Sequence, residues 1–500
     1  MATEIEAADA RHPATKKAPD PASLPPQNTT RTVWKSLAPI ATGIVILLIP
    51  APAGLKFTAW CYFALFCAVL VGVIVEPIPA AAVGLLGVGL ATIFGLVDSK
   101  PSEAVKWALA GFSNTTVWLI FAAFMFAMGY EKTGLGRRIA LVLVKLLGAK
   151  TLGLGYAIAL SDFVLSPVTP SNTARSAGII FPIIQNIPPL YGSSPGESSR
   201  KVGGYIMWVA LCATCITGSM FTTSLATNLL TVELARKIAN VDISWTQWFV
   251  GFLPVGLLLL GSMPYLAYKI YPPEIKVSGE VPQWAAQQLA KIGKISLSEI
   301  GLAVLVTTAL AFWIFGRNIA DPTTVALIAV GVMVVARIVT WDDVLSNKTA
   351  WNIFLWFATL VSMADGLARV GFVEWFAKLA SSQLLGFPPI MTMAVLVGLY
   401  YFIHYFFANL TAHAVAVMPV MLAVGTAIPG IPIRTFAMLL CFSLAIQGII
   451  TPYACGPAPV YYASGYIPRG QYWYLGLIFG CLFIATLLAI GIPYLLFING

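Results

Sequence analysis

Ser171-Asn172-Thr173 follows Pro170 in the stretch "SPVTPSNTARSAGIIFP" (166–182), which sets three prolines and an arginine in a chain that is 59% hydrophobic and only 10% charged. Ser, Asn and Thr offer hydrogen-bond donors without fixed charge. A helix beginning just after Pro170 adds unpaired N–H groups and the positive end of a dipole. Together these suit a carboxylate. Their carbonyl and hydroxyl oxygens also suit Na⁺, so the tripeptide leaves anion and cation open, and Ser171 or Thr173 can equally serve as an N-cap. Arg175 lies two residues beyond. It can grip a carboxylate with a bidentate fork, or pair with Asp162 because a charge inside a membrane needs a partner.

The second half carries a related group in "FFANLTAHAVAVMP" (406–419), with Asn409, Leu410 and Thr411 followed by His413. His413 titrates near neutrality in water, which permits a proton-linked role; hydrogen bonding within its own segment is the plainer alternative. Two further polar stretches interrupt apolar runs. "GSMFTTSLATNLL" (218–230) supplies Thr222, Thr223 and Asn228, and "GIITPYACGPAPV" (448–460) supplies Thr451, Pro452 and Tyr453. In the latter, Pro452, Pro457 and Pro459 keep the chain from becoming helical and leave carbonyls free. The run "YYFIHYFF" (400–407), His404 included, reads as packing and membrane interface. Cys212 and Cys215 form a C-x-x-C inside an apolar helix and read as small buried hydrophobes. Glu76, Asp162, Glu233 and Asp365 are scattered along the chain, which has three histidines. These acids and histidines make no nucleophile–base pair or metal cluster, so an enzyme and a resident cofactor are not expected.

The elements that must position these residues are membrane helices. Apolar runs of about 20 residues recur to the end of the chain, and a backbone in lipid must satisfy its own hydrogen bonds. The expected fold is an all-α polytopic membrane protein with about 11 transmembrane helices plus two re-entrant hairpins. An arm over 152–165 is only about 21 Å long as a helix, too short for a core of about 30 Å. A single helix over 203–237 has the opposite fault, at about 52 Å, and breaks at its polar centre. The same order recurs later in the chain, and interrupted segments in two matching halves mark an inverted-repeat transporter rather than an open channel. Residues 1–35 are expected as a disordered cytoplasmic tail. Residues 36–270 form a first repeat with hairpin 152–190 and broken helix 203–237, and 271–298 form a cytoplasmic connector. Residues 299–500 form a second repeat with hairpin 390–430 and broken helix 434–467. With the N-terminus in the cytoplasm and the C-terminus outside, nineteen of the 29 Lys and Arg residues fall inside and nine outside, with Arg175 in the hairpin. The net charge of +9 is then explained by loops beside anionic lipid, without a nucleic-acid partner.

"TPSNTARSAGIIFP", "MFTTSLATNLL" and "ITPYACGPAPVYYASGYIP" resemble the divalent anion/sodium symporter superfamily of di- and tricarboxylate transporters. They look most like its exchanger branch, which includes bacterial citrate/succinate and tartrate/succinate antiporters and plastid 2-oxoglutarate/malate translocators. The resemblance implies a homodimer with a rigid scaffold and a transport domain that moves as an elevator, in a bacterial inner membrane here. It implies a site at the hairpin tips completed by the broken helices; with the residues that chemistry and location add, the candidate substrate site is Ser171, Asn172, Thr173, Arg175, Thr222, Thr223, Asn228, Asn409, Thr411, His413, Thr451, Pro452 and Tyr453. One departure matters. Leu410 stands where sodium-coupled members have the Asn of a second S-N-T, which weakens a second Na⁺ site. The expected function is exchange of C4/C5 dicarboxylates such as 2-oxoglutarate, malate and succinate, with citrate a larger candidate. The alternative is Na⁺-coupled symport in which Ser171, Asn172 and Thr173 hold the ion.

Overall fold

The computed structural model describes residues 29–277, 279–316, 318–383 and 388–499. The expected tail up to residue 28, and Arg317 among the outer basic residues, lie outside them. Helix Thr29–Leu48 already begins within the stretch expected as tail. The described residues are helical, without a strand, and ten helices are long and apolar enough to cross a membrane. The protein is an integral membrane protein.

Gly203–Met220 is the post around which one group of helices assembles. Every one of its residues is buried, as expected of a helix apolar on all sides. Thr151–Leu165, Trp245–Ile270 and Ile433–Ile446 pack against it. Ser244 starts Trp245–Ile270 with a capping box, accepting from the Gln247 N–H while Gln247 Oε1 accepts from the Ser244 N–H at 3.0 Å. A second group surrounds Lys348–Arg369, which packs on Ala80–Ile93 and Thr115–Thr133. Small residues permit this. A Cβ on Gly84 would overlap Thr359, and one on Gly111 would overlap the Ala358 carbonyl. Without a hydrophobic drive between helices in lipid, close approach at such positions is what holds them together. Helix Ala226–Ala239 joins the groups by touching both Lys348–Arg369 and Ile433–Ile446.

Around the segments expected as hairpins and breaks, the helices have limits of their own. Thr151–Leu165 continues through a 3-10 turn, Ser166–Val168, so the arm runs 18 residues to Val168 and is long enough to count among the ten. Pro167 allows this because a proline fits the first turn of a helix, where its missing N–H is not needed. After a turn at 169–172 the returning arm is a widened π-helix, Thr173–Ile180, and one α turn, Phe181–Ile184. The second pair of arms is Pro389–Ile403, extended by His404–Phe406, and Leu410–Ala427. The first interrupted helix stops at Met220 and resumes at Ala226. The second runs Ile433–Ile446 with a turn to Ile449, then resumes at Ala458–Ala463. Several helices escaped hydropathy, two of them beside the first hairpin segment. Leu135–Leu147 carries three basic residues, and Glu280–Ile292 lies in the polar connector.

Candidate functional site

The two hairpin turns share one capping pattern. Ser171 Oγ accepts from the Ala174 N–H at 3.2 Å, and Asn409 Oδ1 accepts from the Ala412 N–H at 2.7 Å. Each cap satisfies the third N–H of its helix and leaves the earlier ones, at Asn172 and Thr173 and at Leu410 and Thr411, directed out of the helix end. Thr173 and Asn409 are exposed, Ser171 and Thr411 half-buried, and Asn172 buried.

The first turn is pinned to the first break. Thr223 Oγ1 donates to the Pro167 carbonyl, the Ala226 N–H donates to Pro170 O at 2.8 Å, and Trp245 Nε1 donates to Thr223 Oγ1 at 3.1 Å. Arg175 closes this unit. Its Nε donates to Asp162 Oδ1 at 2.7 Å, and Nη1 donates to the carbonyls of Thr169 at 2.9 Å and Ser224 at 3.2 Å. Nη2 reaches Thr214 Oγ1 at 3.3 Å and Thr217 Oγ1 at 3.4 Å. A guanidinium has five N–H donors and all five are engaged. Arg175 and Asp162 are both 0% exposed. In this conformation the arginine therefore ties both arms to two neighbouring helical segments and has no donor left for a carboxylate.

The first turn also meets the second break. A Cβ on Gly456 would overlap Thr173 Oγ1, so only glycine lets the chain pass there, and Ser176 Oγ and the Tyr461 hydroxyl share a hydrogen bond of 2.8 Å. The second turn reaches the same break through His404, whose Nε2 lies 2.8 Å from the Ala454 carbonyl. A carbonyl only accepts, so Nε2 carries the proton; Nδ1 of the neutral ring then accepts from His413 Nδ1 at 3.1 Å. His404 is thus a hydrogen-bonding bridge, not the packing residue its aromatic run suggested. His413 Nε2 is buried without a partner. Tyr453 donates to the Tyr405 carbonyl at 3.1 Å, while Thr451 is fully buried and Pro452 half-buried.

Residues 453–456 therefore link the two turns, and Thr173, Gly456, Tyr453 and Asn409 are exposed around that link. Asn228 lies apart from it. Its Nδ2 donates to Gly218 O at 2.7 Å and Phe221 O at 3.0 Å, which holds the first break open, and its Oδ1 is buried without a donor. Thr222 and Thr223 front a cavity of about 510 Å³ shared with Asn114 and Glu233. Asn409 and Thr411 front another, about 410 Å³, shared with Glu76, Asn352 and Trp356. Sequence reasoning missed Gly456, Ser176 and Tyr461; a glycine between prolines at 456 was the signal available.

Residues 30–498 match the family described as the sodium:sulfate symporter transmembrane region. The chain belongs to that family. This is the divalent anion/sodium symporter superfamily that the hairpin motifs resemble, and its members are transporters, not enzymes. The L-tartrate/succinate antiporter of Shigella sonnei (strain Ss046) is 46% identical over 475 residues, covering 92% of this chain and 98% of its own. That of Escherichia coli (strain K12) is 45% identical over the same length and shares. The crystal structure of the Alcanivorax borkumensis YdaH transporter, 14% identical, is similar at a TM-score of 0.57 over 83% of this chain and 97% of its own. At that identity the likeness concerns the fold alone.

Among the described residues no group of three or more His, Cys, Asp and Glu is placed to hold a metal ion. The seven cysteines are free thiols, with Cys212 and Cys215 fully buried.

Proposed function

We propose that this protein is a secondary antiporter that exchanges C4/C5 dicarboxylates of the tartrate and succinate kind, independently of Na⁺. One observation carries the reading. Two capped helix ends, at Ser171–Thr173 and Asn409–Thr411, are drawn to one open segment by the Thr173–Gly456 contact and the His404–Ala454 hydrogen bond. Two helix N-termini offer one anchor to each carboxylate of a diacid, and uncharged donors bind without the desolvation cost of a buried cation. The length and identity shared with L-tartrate/succinate antiporters supports the substrate class. In this reading Ser171, Asn172, Thr173, Asn409, Thr411 and the Thr451–Tyr453 segment contact substrate, and Arg175, Thr223, Asn228 and His413 position them. The hairpins and interrupted helices move as one body against the helices around Lys348–Arg369, in a homodimer of a bacterial inner membrane with the N-terminus in the cytoplasm.

Asn228 Oδ1 and Asp162 Oδ2, buried without donors, are oxygens of the kind Na⁺ uses, which favours sodium-coupled symport as a second reading. Purified protein in liposomes separates the two. Labelled succinate uptake is measured with unlabelled succinate or tartrate trapped inside or absent, each with Na⁺ or choline outside. Exchange predicts uptake that requires internal substrate and ignores Na⁺. Uptake into empty vesicles driven by a Na⁺ gradient overturns it.

A further inference from the structure

A cavity of about 270 Å³ lies between Leu135–Leu147, Glu280–Ile292 and the end of the first hairpin. Arg137 and Leu141 front it from one helix, and Trp284 and Gln288 from the other. Each pair is spaced i, i+4, so each presents one face. Pro182 and Asn186 close the third side, and no acid lines it. Arg138, next to Arg137, spends four of its five donors on Glu299 and on the Gly293 and Lys294 carbonyls. Arg137 makes no hydrogen bond or ion pair among the described residues, nor do the Trp284 indole N–H and the Gln288 amide. Three sets of unused donors thus converge on a space without a negative charge, which calls for an oxyanion.

The surroundings indicate what carries that oxyanion. Leu135–Leu147 follows the span ending at Thr133 with only Gly134 between them, in the left-handed conformation that ends a helix. It buries Leu135, Ala140, Leu141 and Val144, yet leaves Val142 39% and Leu146 69% exposed. A helix with an exposed apolar strip beside basic residues, directly at the end of a span, lies in the membrane interface. We propose that this cavity binds the phosphate of an anionic phospholipid headgroup, with Arg137 as its main ligand. Bound there, the headgroup joins the connector to the exit of the first hairpin. The hairpin's entrance is already fastened to the connector, since Thr151 Oγ1 donates to the Ile275 carbonyl at 2.7 Å.

The test is native mass spectrometry of the full-length protein released from detergent, titrated with phosphatidylglycerol, phosphatidylcholine or inorganic phosphate. Phosphatidylglycerol is expected to bind the wild type at least about tenfold more tightly than phosphatidylcholine, and Arg137→Gln to remove about tenfold of that affinity, as the loss of a charge-assisted hydrogen bond does. Lys145→Gln, on the same helix but outside the cavity, is expected to stay within about twofold of the wild type, the small effect of an exposed charge. Equal losses in the two variants reduce the effect to diffuse attraction and overturn the site. Tight binding of inorganic phosphate without preference for phosphatidylglycerol overturns the lipid assignment.

Discussion

Replacing Arg175 by Gln, and separately Asp162 by Asn, tests whether the arginine is a latch or a substrate ligand. Both side chains are fully buried, and the guanidinium spends its five donors on Asp162, two carbonyls and two threonine hydroxyls. Breaking one partner of such a pair costs about 3–5 kcal/mol, because the other charge is left in a low-dielectric interior. Each single variant is therefore expected to lose that much. The double variant removes both charges, so its loss is expected to fall short of the sum by at least about 2 kcal/mol. Arg175→Lys keeps the charge but has three donors on one nitrogen, which cannot span the carbonyls of Thr169 and Ser224 and the hydroxyls of Thr214 and Thr217 together; an intermediate loss is expected. The assay is denaturant titration in mixed micelles, with dicarboxylate exchange by the same variants in liposomes. A latch predicts that Asp162→Asn and Arg175→Gln fail alike in both. An Asp162→Asn protein with wild-type stability and exchange, beside a stable but inactive Arg175→Gln, refutes the latch and returns Arg175 to the substrate.

Gly456→Ala is expected to cost about 1–3 kcal/mol by overpacking against Thr173, and to depress exchange well below that of Gly470→Ala, where a Cβ meets nothing within 4 Å; parallel exchange rates measure it. Asp365 bridges Lys237 at 3.1 Å and Arg369 at 2.6 Å, joining Ala226–Ala239 to Lys348–Arg369. Asp365→Asn is expected to alter exchange velocity while costing no more than about 1 kcal/mol of stability, since these charges are partly solvated; unchanged velocity removes the bridge from the moving interface. Donation by the Lys132 ammonium, helped by Thr340, holds the Asp343 carboxyl down to about 2. A depressed folded value stabilises above the unfolded value of about 3.9 and is lost as pH falls toward the folded one. The stability difference between wild type and Asp343→Asn is thus expected to stay constant from pH 8 to about 5 and shrink only below about 4, read from thermal unfolding at each pH.

Local chemistry made much of the fold legible from the chain itself. Apolar runs named the membrane, and Pro170, Pro452 and Pro457 marked non-helical backbone, because a missing N–H and a fixed φ act on the nearest turn whatever packs beside it, whereas the first arm continues through Pro167 and Pro459 lies inside Ala458–Ala463. The polar centre of 218–230 marked the other break for a similar reason, and the resulting helix ends at 173 and 410 supply the candidate site. Leu135–Leu147 was hidden because an amphipathic helix averages out to unremarkable hydropathy.

What only the tertiary structure decided is how the charged and titratable groups are used. Asp162 was a foreseeable partner for Arg175, but Thr214, Thr217 and Ser224 come from other helical segments, and their positions take up the donors that a free arginine would have kept for substrate. His404 lies inside an aromatic run and faces His413 only because the chain reverses between them. Gly456 matters because the first hairpin passes against it. Backbone breaks are set by residues adjacent in the chain. Partners are set by helix packing, which brings together segments far apart in sequence and which the composition of either segment alone does not specify.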